Sequence, residues 1–157
     1  MLNGTVAANG KVVHGGTVLR LNLALYGSQP PKVTSITTIG SGFPQRTDPA
    51  ALVIGPTGVA LNSQGTLFVA NGLRSKINAI PFAATRNSSA GQGMVVSAGG
   101  KLNVPLGLIL APDGNVLTVN GGDGRIVETT TGGMQVASGS STSRAARPVR
   151  VRCSAWP

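Results

Sequence analysis

The apolar residues of this chain occur in short segments separated by turn-forming residues. In the middle of the sequence, apolar and polar residues alternate and β-branched residues recur over residues 57–62, 66–70, 76–80 and 94–97. Alternation with a period of two predicts half-buried β-strands, and the sequence Asn-Ser-Gln-Gly at 62–65 supplies a turn between two of them. The chain has no sustained apolar stripe of helical period. The pattern therefore predicts an all-β fold, with four antiparallel strands in this unit.

The same pattern returns later in the chain at a constant offset. Residues 55–80 align with residues 104–129 without a gap, and landmark residues recur 49 positions apart, at Pro56/Pro105, Gly58/Gly107, Gly65/Gly114, Asn71/Asn120 and Ile77/Ile126. A third, imperfect copy covers residues 3–21, and its last strand is predicted at 33–39. Repeats of this length with four strands each are typical of propeller blades. We therefore predict a partial β-propeller built from four-stranded antiparallel blades with a 49-residue repeat.

The sequence PTGVALNSQGTLFVANGLRSKI, at residues 56–77, resembles the NHL repeat of six-bladed β-propellers. In that repeat an acidic residue usually follows the second strand, and an arginine precedes the isoleucine of the third strand. The equivalent positions here are Asn71 and Asn120 for the acid and Lys76 and Arg125 for the arginine. An amide and a cation thus replace an ion pair. The resemblance implies a bacterial protein of no assigned activity, in which these residues brace the blades.

The resemblance covers roughly residues 3–137. We predict an incomplete propeller at residues 1–137, divided into a partial blade at 1–40 and blades at about 41–97 and 98–137. A closed six-bladed ring would need about 290 residues at this period. We therefore expect a fragment of two to three blades, whose open edges allow self-association.

Residues 138–157 differ in character from the rest of the chain. The formal net charge is +9, and four arginines without an acidic neighbour lie in this segment, at Arg144, Arg147, Arg150 and Arg152. We expect a disordered basic tail, and we hypothesise that the next blade is encoded there in another reading frame. Nucleic-acid binding remains an alternative function, but it is not expected, because the tail accounts for much of the excess charge. The single cysteine, Cys153, also lies there and excludes a disulfide framework.

Candidate chemistry is sparse. The only histidine, His14, is expected in a glycine-rich turn without a metal-ligating neighbour. Asp113 and Asp123 each precede a glycine, as turn residues often do. We assign no catalytic residue, no cofactor and no metal ligand. An alternative is a fragment of a propeller lyase or hydrolase whose catalytic residues lie in blades outside this sequence.

The most distinctive candidate for binding is residues 40–56, which we predict to be a long loop between two blades. Phe43, Arg46 and Asp48 on this loop, with Arg74 from the neighbouring turn, would form a recognition surface for an unknown protein or small ligand. We therefore expect a non-catalytic binding scaffold. No apolar run is long enough to span a membrane, and the N-terminus lacks the apolar centre of a signal peptide. As written, the chain is expected to be cytoplasmic, whereas an exported parent protein remains open.

Overall fold

A computed structural model of the protein describes residues 10–140, which fold into three antiparallel β-sheets. The first sheet contains β1 (Val13–Ala24), β2 (Lys32–Asp48) and β3 (Leu52–Ile54). The second contains β4 (Pro56–Leu61), β5 (Leu67–Asn71), β6 (Lys76–Ile80) and β7 (Met94–Ala98). The third contains β8 (Pro105–Leu110), β9 (Val116–Asn120), β10 (Arg125–Thr129) and β11 (Gln135–Ser140). In every sheet, strands consecutive along the chain are neighbours. The predicted all-β class is confirmed, and the sheets are arranged like the blades of an incomplete β-propeller.

The structure reproduces the sequence repeat strand by strand. β8, β9 and β10 begin and end 49 residues after β4, β5 and β6, respectively. Side chains of turn residues fix the tight connections between them. The Asn62 carboxamide oxygen accepts hydrogen bonds from the N–H groups of Gln64 and Thr66, and the Asp113 carboxylate accepts one from the N–H of Asn115. Asp113 is thus a turn residue, as predicted.

Two apolar cores hold the three sheets together. The first lies between the first and second sheets and contains Val18, Ile39, Phe43, Val69, Ile80 and Ala83. The second lies between the second and third sheets and contains Phe68, Ile77, Ala79, Leu102, Val116 and Val127. Neighbouring residues of β5 therefore enter different cores, because side chains alternate between the two faces of a strand. The second sheet is covered on both faces.

The prediction of a loop at residues 40–56 is wrong. Most of it is strand: β2 continues to Asp48, and β3 pairs back onto it with Arg46 opposite Ile54. Pro44 and Gly42 lie where the β1–β2 pairing changes register: Pro44 between the Val13–Gln45 and Gly16–Phe43 pairs, and Gly42 between the Gly16–Phe43 and Val18–Gly40 pairs. Such irregular positions tolerate residues that would interrupt a regular ladder.

The boundaries of the sheets also differ from the predicted blade boundaries. The first sheet extends to Ile54, so residues 41–54 pack with the partial blade instead of with the blade that follows. At the other end, β11 extends to Ser140, into the segment predicted to be a disordered tail. The described residues do not include the four tail arginines, Cys153 or Trp156. The reading-frame hypothesis concerns the same part of the chain.

Candidate functional site: a basic cleft

A cleft with several basic side chains lies where the first and second sheets meet. Its volume is about 370 Å³, and its lining residues are Val12, His14, Pro44, Arg46, Leu73 and Arg74. The first sheet contributes the start of β1 and the second half of β2. The second sheet contributes a single turn of 3-10 helix, Gly72–Arg74, which connects β5 to β6. We call this site the basic cleft.

Hydrogen bonds hold the short helical turn in place. The N–H of Gly72 donates to the carbonyl of Gly55 at 3.3 Å, which ties the turn to the segment that enters β4. The N–H of Ser75 donates back to the carbonyl of Gly72 at 3.1 Å, and Ser75 adopts the left-handed conformation that ends the turn. Leu73 and Arg74 are thereby presented to the cleft from a fixed backbone.

The cleft carries more positive than negative charge. The Arg46 guanidinium lies 3.7 Å from the carboxylate of Asp48, which also accepts a hydrogen bond from the N–H of Ala50. The Arg46 Nε is buried and has no hydrogen-bond partner among residues 10–140. Within the same residues, the side chains of His14 and Arg74 form no hydrogen bond or ion pair. Asp48 does not line the cleft, so two guanidinium groups and an imidazole line it without a carboxylate among them.

The four residues predicted to form a recognition surface have different environments. Arg46 and Arg74 line the basic cleft together, and Asp48 is the ion-pair partner of Arg46. Phe43 is not available to a ligand, because its side chain is fully buried in the core between the first two sheets. The prediction for Phe43 rested on the loop assignment and is wrong for the same reason.

Sequence reasoning missed three residues of the cleft, namely Val12, His14 and Leu73. His14 was expected in a glycine-rich turn, but it lies in β1 with its side chain exposed at the cleft. The two glycines after His14 are part of the irregular start of the β1–β2 pairing. The useful signal was charge, because His14, Arg46 and Arg74 are all basic and lie near strand ends.

Asn71, the last residue of β5, is linked by hydrogen bonds to the first sheet. Asn71 is fully buried, and its Nδ2 donates to Asn78 Oδ1 at 3.4 Å and to Gln92 Oε1 at 3.3 Å. Gln92 in turn donates from Nε2 to the carbonyl of Gly42 in the first sheet at 3.0 Å. The position that the NHL resemblance assigns to an acid therefore carries an amide, which connects neighbouring sheets without burying a charge.

The equivalent asparagine of the third sheet has different partners. Asn120 Nδ2 donates to the carbonyl of Lys101 at 2.8 Å and to Asp123 Oδ1 at 3.1 Å. Partial desolvation opposes ionisation of Asp123, but hydrogen bonds from the Arg125 N–H, Asn120 and Asn103 and the Arg125 charge together lower the pKa of its carboxyl. Asp123 is thus a turn residue that binds the backbone two residues later, as predicted.

The other positions predicted to be structural parts of the repeat lie at the start of a strand or within one. Lys76 begins β6 opposite Asn71, and Arg125 begins β10 with its side chain exposed. A Cβ at Gly58 would lie against the backbone of β8, whereas a Cβ at the equivalent Gly107 would meet only Val119, at 3.9 Å.

Within the described part of the chain, no group of three or more histidine, cysteine or acidic residues is placed to hold a metal ion. No helix among residues 10–140 has the length and apolar character needed to cross a membrane. No family model matches the sequence, and no curated protein matches it significantly.

Proposed function

We propose that this protein is a non-catalytic binding scaffold of the NHL-propeller type, and that its basic cleft recognises an anionic group. The observation that carries the proposal is the convergence of Arg46, Arg74 and His14 on one cleft with a single carboxylate nearby. The ligand would be a small molecule, or a side chain of a partner protein, that bears a carboxylate or phosphate.

The polar groups of the cleft suit this chemistry. A guanidinium presents several N–H donors in a planar fork, which matches the oxygens of a carboxylate or phosphate. The Arg46 Nε–H is buried, but the side chain as a whole is 42% exposed and lines the cleft, so part of it is accessible to an anion there. Arg74 can approach the same anion from the opposite wall because it belongs to the second sheet.

The walls of the cleft favour binding over reaction. Its lining carries three aliphatic side chains, those of Val12, Pro44 and Leu73, between the basic groups. It carries no hydroxyl, thiol or carboxylate that could act as a nucleophile. The volume of about 370 Å³ lies within the usual range for small-ligand sites of about 300–1,000 Å³. A partly apolar ligand with one anionic end fits this combination.

Isothermal titration calorimetry with inorganic phosphate and with citrate tests the proposal. Both probes carry the required charge, and their relative affinities distinguish phosphate from carboxylate recognition. Substitution Arg74→Ala should weaken binding about tenfold or more, because a charge-assisted hydrogen bond is lost. Lys32→Ala is the matched control. It also removes one positive charge, but Lys32 lies at the start of β2, far along the strand from Arg46.

The control separates site binding from general attraction to a basic protein. If Lys32→Ala weakens binding as much as Arg74→Ala, the anion is attracted by net charge and the basic cleft is not the site. If neither probe binds the unsubstituted chain at low ionic strength, the proposal is wrong.

A further inference from the structure

The faces of the second sheet show what a blade of this protein packs against. Val69 and Ile80 enter the core shared with the first sheet, whereas Phe68 and Ile77 enter the core shared with the third. Each face of this sheet is therefore an interface between blades.

The third sheet carries the same positions, but the described residues cover only one of its faces. Ile126 is the equivalent of Ile77, yet it is 39% exposed where Ile77 is 0% exposed. Val119 is the equivalent of Ala70, and it is 43% exposed where Ala70 is 0% exposed. Val119 and Ile126 are paired across β9 and β10, so they lie on one face. We define the outer face of the third sheet by Ile109, Leu117, Val119 and Ile126. Glu128 pairs with Leu117 on the same face, and its carboxylate accepts a hydrogen bond from Asn115 Nδ2.

A glycine gives independent support for a missing neighbour on this face. A Cβ at Gly58 would lie 2.6 Å from the carbonyl oxygen of Leu106 and 2.7 Å from the nitrogen of Leu108, so only glycine allows β8 to approach β4 this closely. Gly107 is the equivalent residue of β8, but a Cβ there would meet only Val119, at 3.9 Å. The third sheet thus has the glycine that admits a neighbouring strand, with no described strand against it.

The first sheet, on the other side of the second sheet, also has an apolar face turned away from its neighbour. Val18 and Arg20 point towards the second sheet, where Val18 enters the core and the Arg20 guanidinium donates to the carbonyls of Ala83 and Arg86. Leu21 and Leu23 point the opposite way because side chains alternate along a strand. They pair across the strands with Ile36 and Val33, and all four are exposed. We define the outer face of the first sheet by Leu21, Leu23, Val33 and Ile36.

We propose that a second copy of this chain covers these surfaces, with the outer face of its first sheet packed on the outer face of the third sheet. The contact is head-to-tail, so each copy uses one face of each kind. Two such contacts related by a half-turn close a dimer with six sheets, and both apolar faces of both copies are then buried.

The number of sheets favours two copies over other assemblies. Closed propellers typically contain four to eight blades. Residues 10–140 form three sheets, so two copies supply six, whereas one copy supplies too few and three supply too many.

The area of the faces is also sufficient. In the third sheet, four strands about 4.8 Å apart and about five residues long cover roughly 300 Å² per face. In the first sheet, the paired parts of β1 and β2, about nine residues long, cover a similar area. A closed dimer covers two faces of each kind, or roughly 1,200 Å² in total, which lies at the lower end of the range of specific protein interfaces.

Analytical ultracentrifugation of the full chain tests the assembly. We expect the mass of two chains, and we expect Val119→Lys or Leu21→Glu to give a monomer, because each places a charge in both contacts. Circular dichroism should show that both variants retain the β-sheet signal, since the substituted residues are exposed in the monomer. Phe82→Lys is the control. It replaces an exposed apolar residue in the turn after β6, outside both outer faces, and should leave the dimer intact.

A mixing experiment tests the head-to-tail arrangement specifically. When the Val119→Lys and Leu21→Glu chains are mixed, one contact pairs the lysine with the glutamate and the other contact is unsubstituted. The mixture should therefore form a dimer that neither variant forms alone. Failure of the mixture to associate would contradict the head-to-tail contact. A monomeric unsubstituted chain, or an open-ended series of larger species, would overturn the closed dimer.

Discussion

Adding one methyl group at Gly58 should destabilise the protein, whereas the same change at Gly107 should not. The substitutions Gly58→Ala and Gly107→Ala are chemically identical and occupy equivalent positions of β4 and β8. At Gly58 the new Cβ would lie 2.6 Å, 2.7 Å and 2.9 Å from three backbone atoms of β8. Backbone atoms of a paired strand cannot rotate away, so the second and third sheets must move apart.

The expected magnitude follows from two opposing effects. Overpacking of this kind costs about 1–3 kcal/mol. Replacing glycine with alanine also restricts the unfolded chain, which stabilises the protein by about 0.4–1 kcal/mol where the backbone conformation allows it. The midpoints of the two ranges give a decrease of about 1.3 kcal/mol in the free energy of unfolding for Gly58→Ala, within limits of about 0–2.6 kcal/mol. In the monomer, Gly107→Ala should be neutral or slightly stabilising, because only Val119 is near, at 3.9 Å.

Urea denaturation followed by circular dichroism measures both values. The measurements should use a protein concentration at which the chain is monomeric, so that association does not contribute. Equal effects of the two substitutions, or an unchanged denaturation midpoint for Gly58→Ala, would refute the close packing of β4 on β8.

Two further predictions concern hydrogen bonds of the third sheet. Because the pKa of Asp123 is lowered in the folded protein, its ionised form contributes stability above its unfolded pKa, and this stability is lost as the pH falls through the folded pKa. Between pH 7 and pH 3, the free energy of unfolding measured by urea denaturation should therefore fall less for Asp123→Asn than for the unsubstituted chain. An identical fall would contradict the role of Asp123. Gln135 joins β11 to the second sheet, since it accepts from the Lys101 N–H and donates to the Ser97 hydroxyl and the Gly99 carbonyl. Gln135→Ala should cost about 1–3 kcal/mol, compared with little change for the exposed Gln64→Ala, and similar midpoints for the two variants would refute this link.

The repeated part of the fold could be predicted from sequence because local signals agree there. Alternation, β-branched residues and turn residues coincide in the second sheet, and the strand predicted at 76–80 has the observed bounds of β6. The constant offset of 49 residues then fixed the corresponding strands of the third sheet. These features depend on neighbours along the chain, which a single sequence displays.

The first sheet could not be predicted in the same way because its structure depends on distant residues. The segment 40–48 contains glycine and proline, which locally favour a loop, yet it pairs with β1 some thirty residues earlier. Burial of Phe43 against Val69 and Ile80 stabilises this pairing, and no local sequence pattern predicts that contact.

The basic cleft was only partly predictable for a related reason. Arg46 and Arg74 could be assigned to one face from the order of strands and turns. His14 could not, because its position depends on the irregular register between β1 and β2.

Nuclear magnetic resonance of the arginine side chains is the most direct test of the proposed binding role. The Nε–H resonances of Arg46 and Arg74 should shift together, with one midpoint, when inorganic phosphate is titrated into the full chain at low ionic strength. The resonances of Arg20 and Arg125, which lie outside the basic cleft, should remain in place. Equal shifts at all four arginines would indicate non-specific association with anions. That result, or the absence of any shift at Arg46 and Arg74, would contradict anion recognition by the basic cleft.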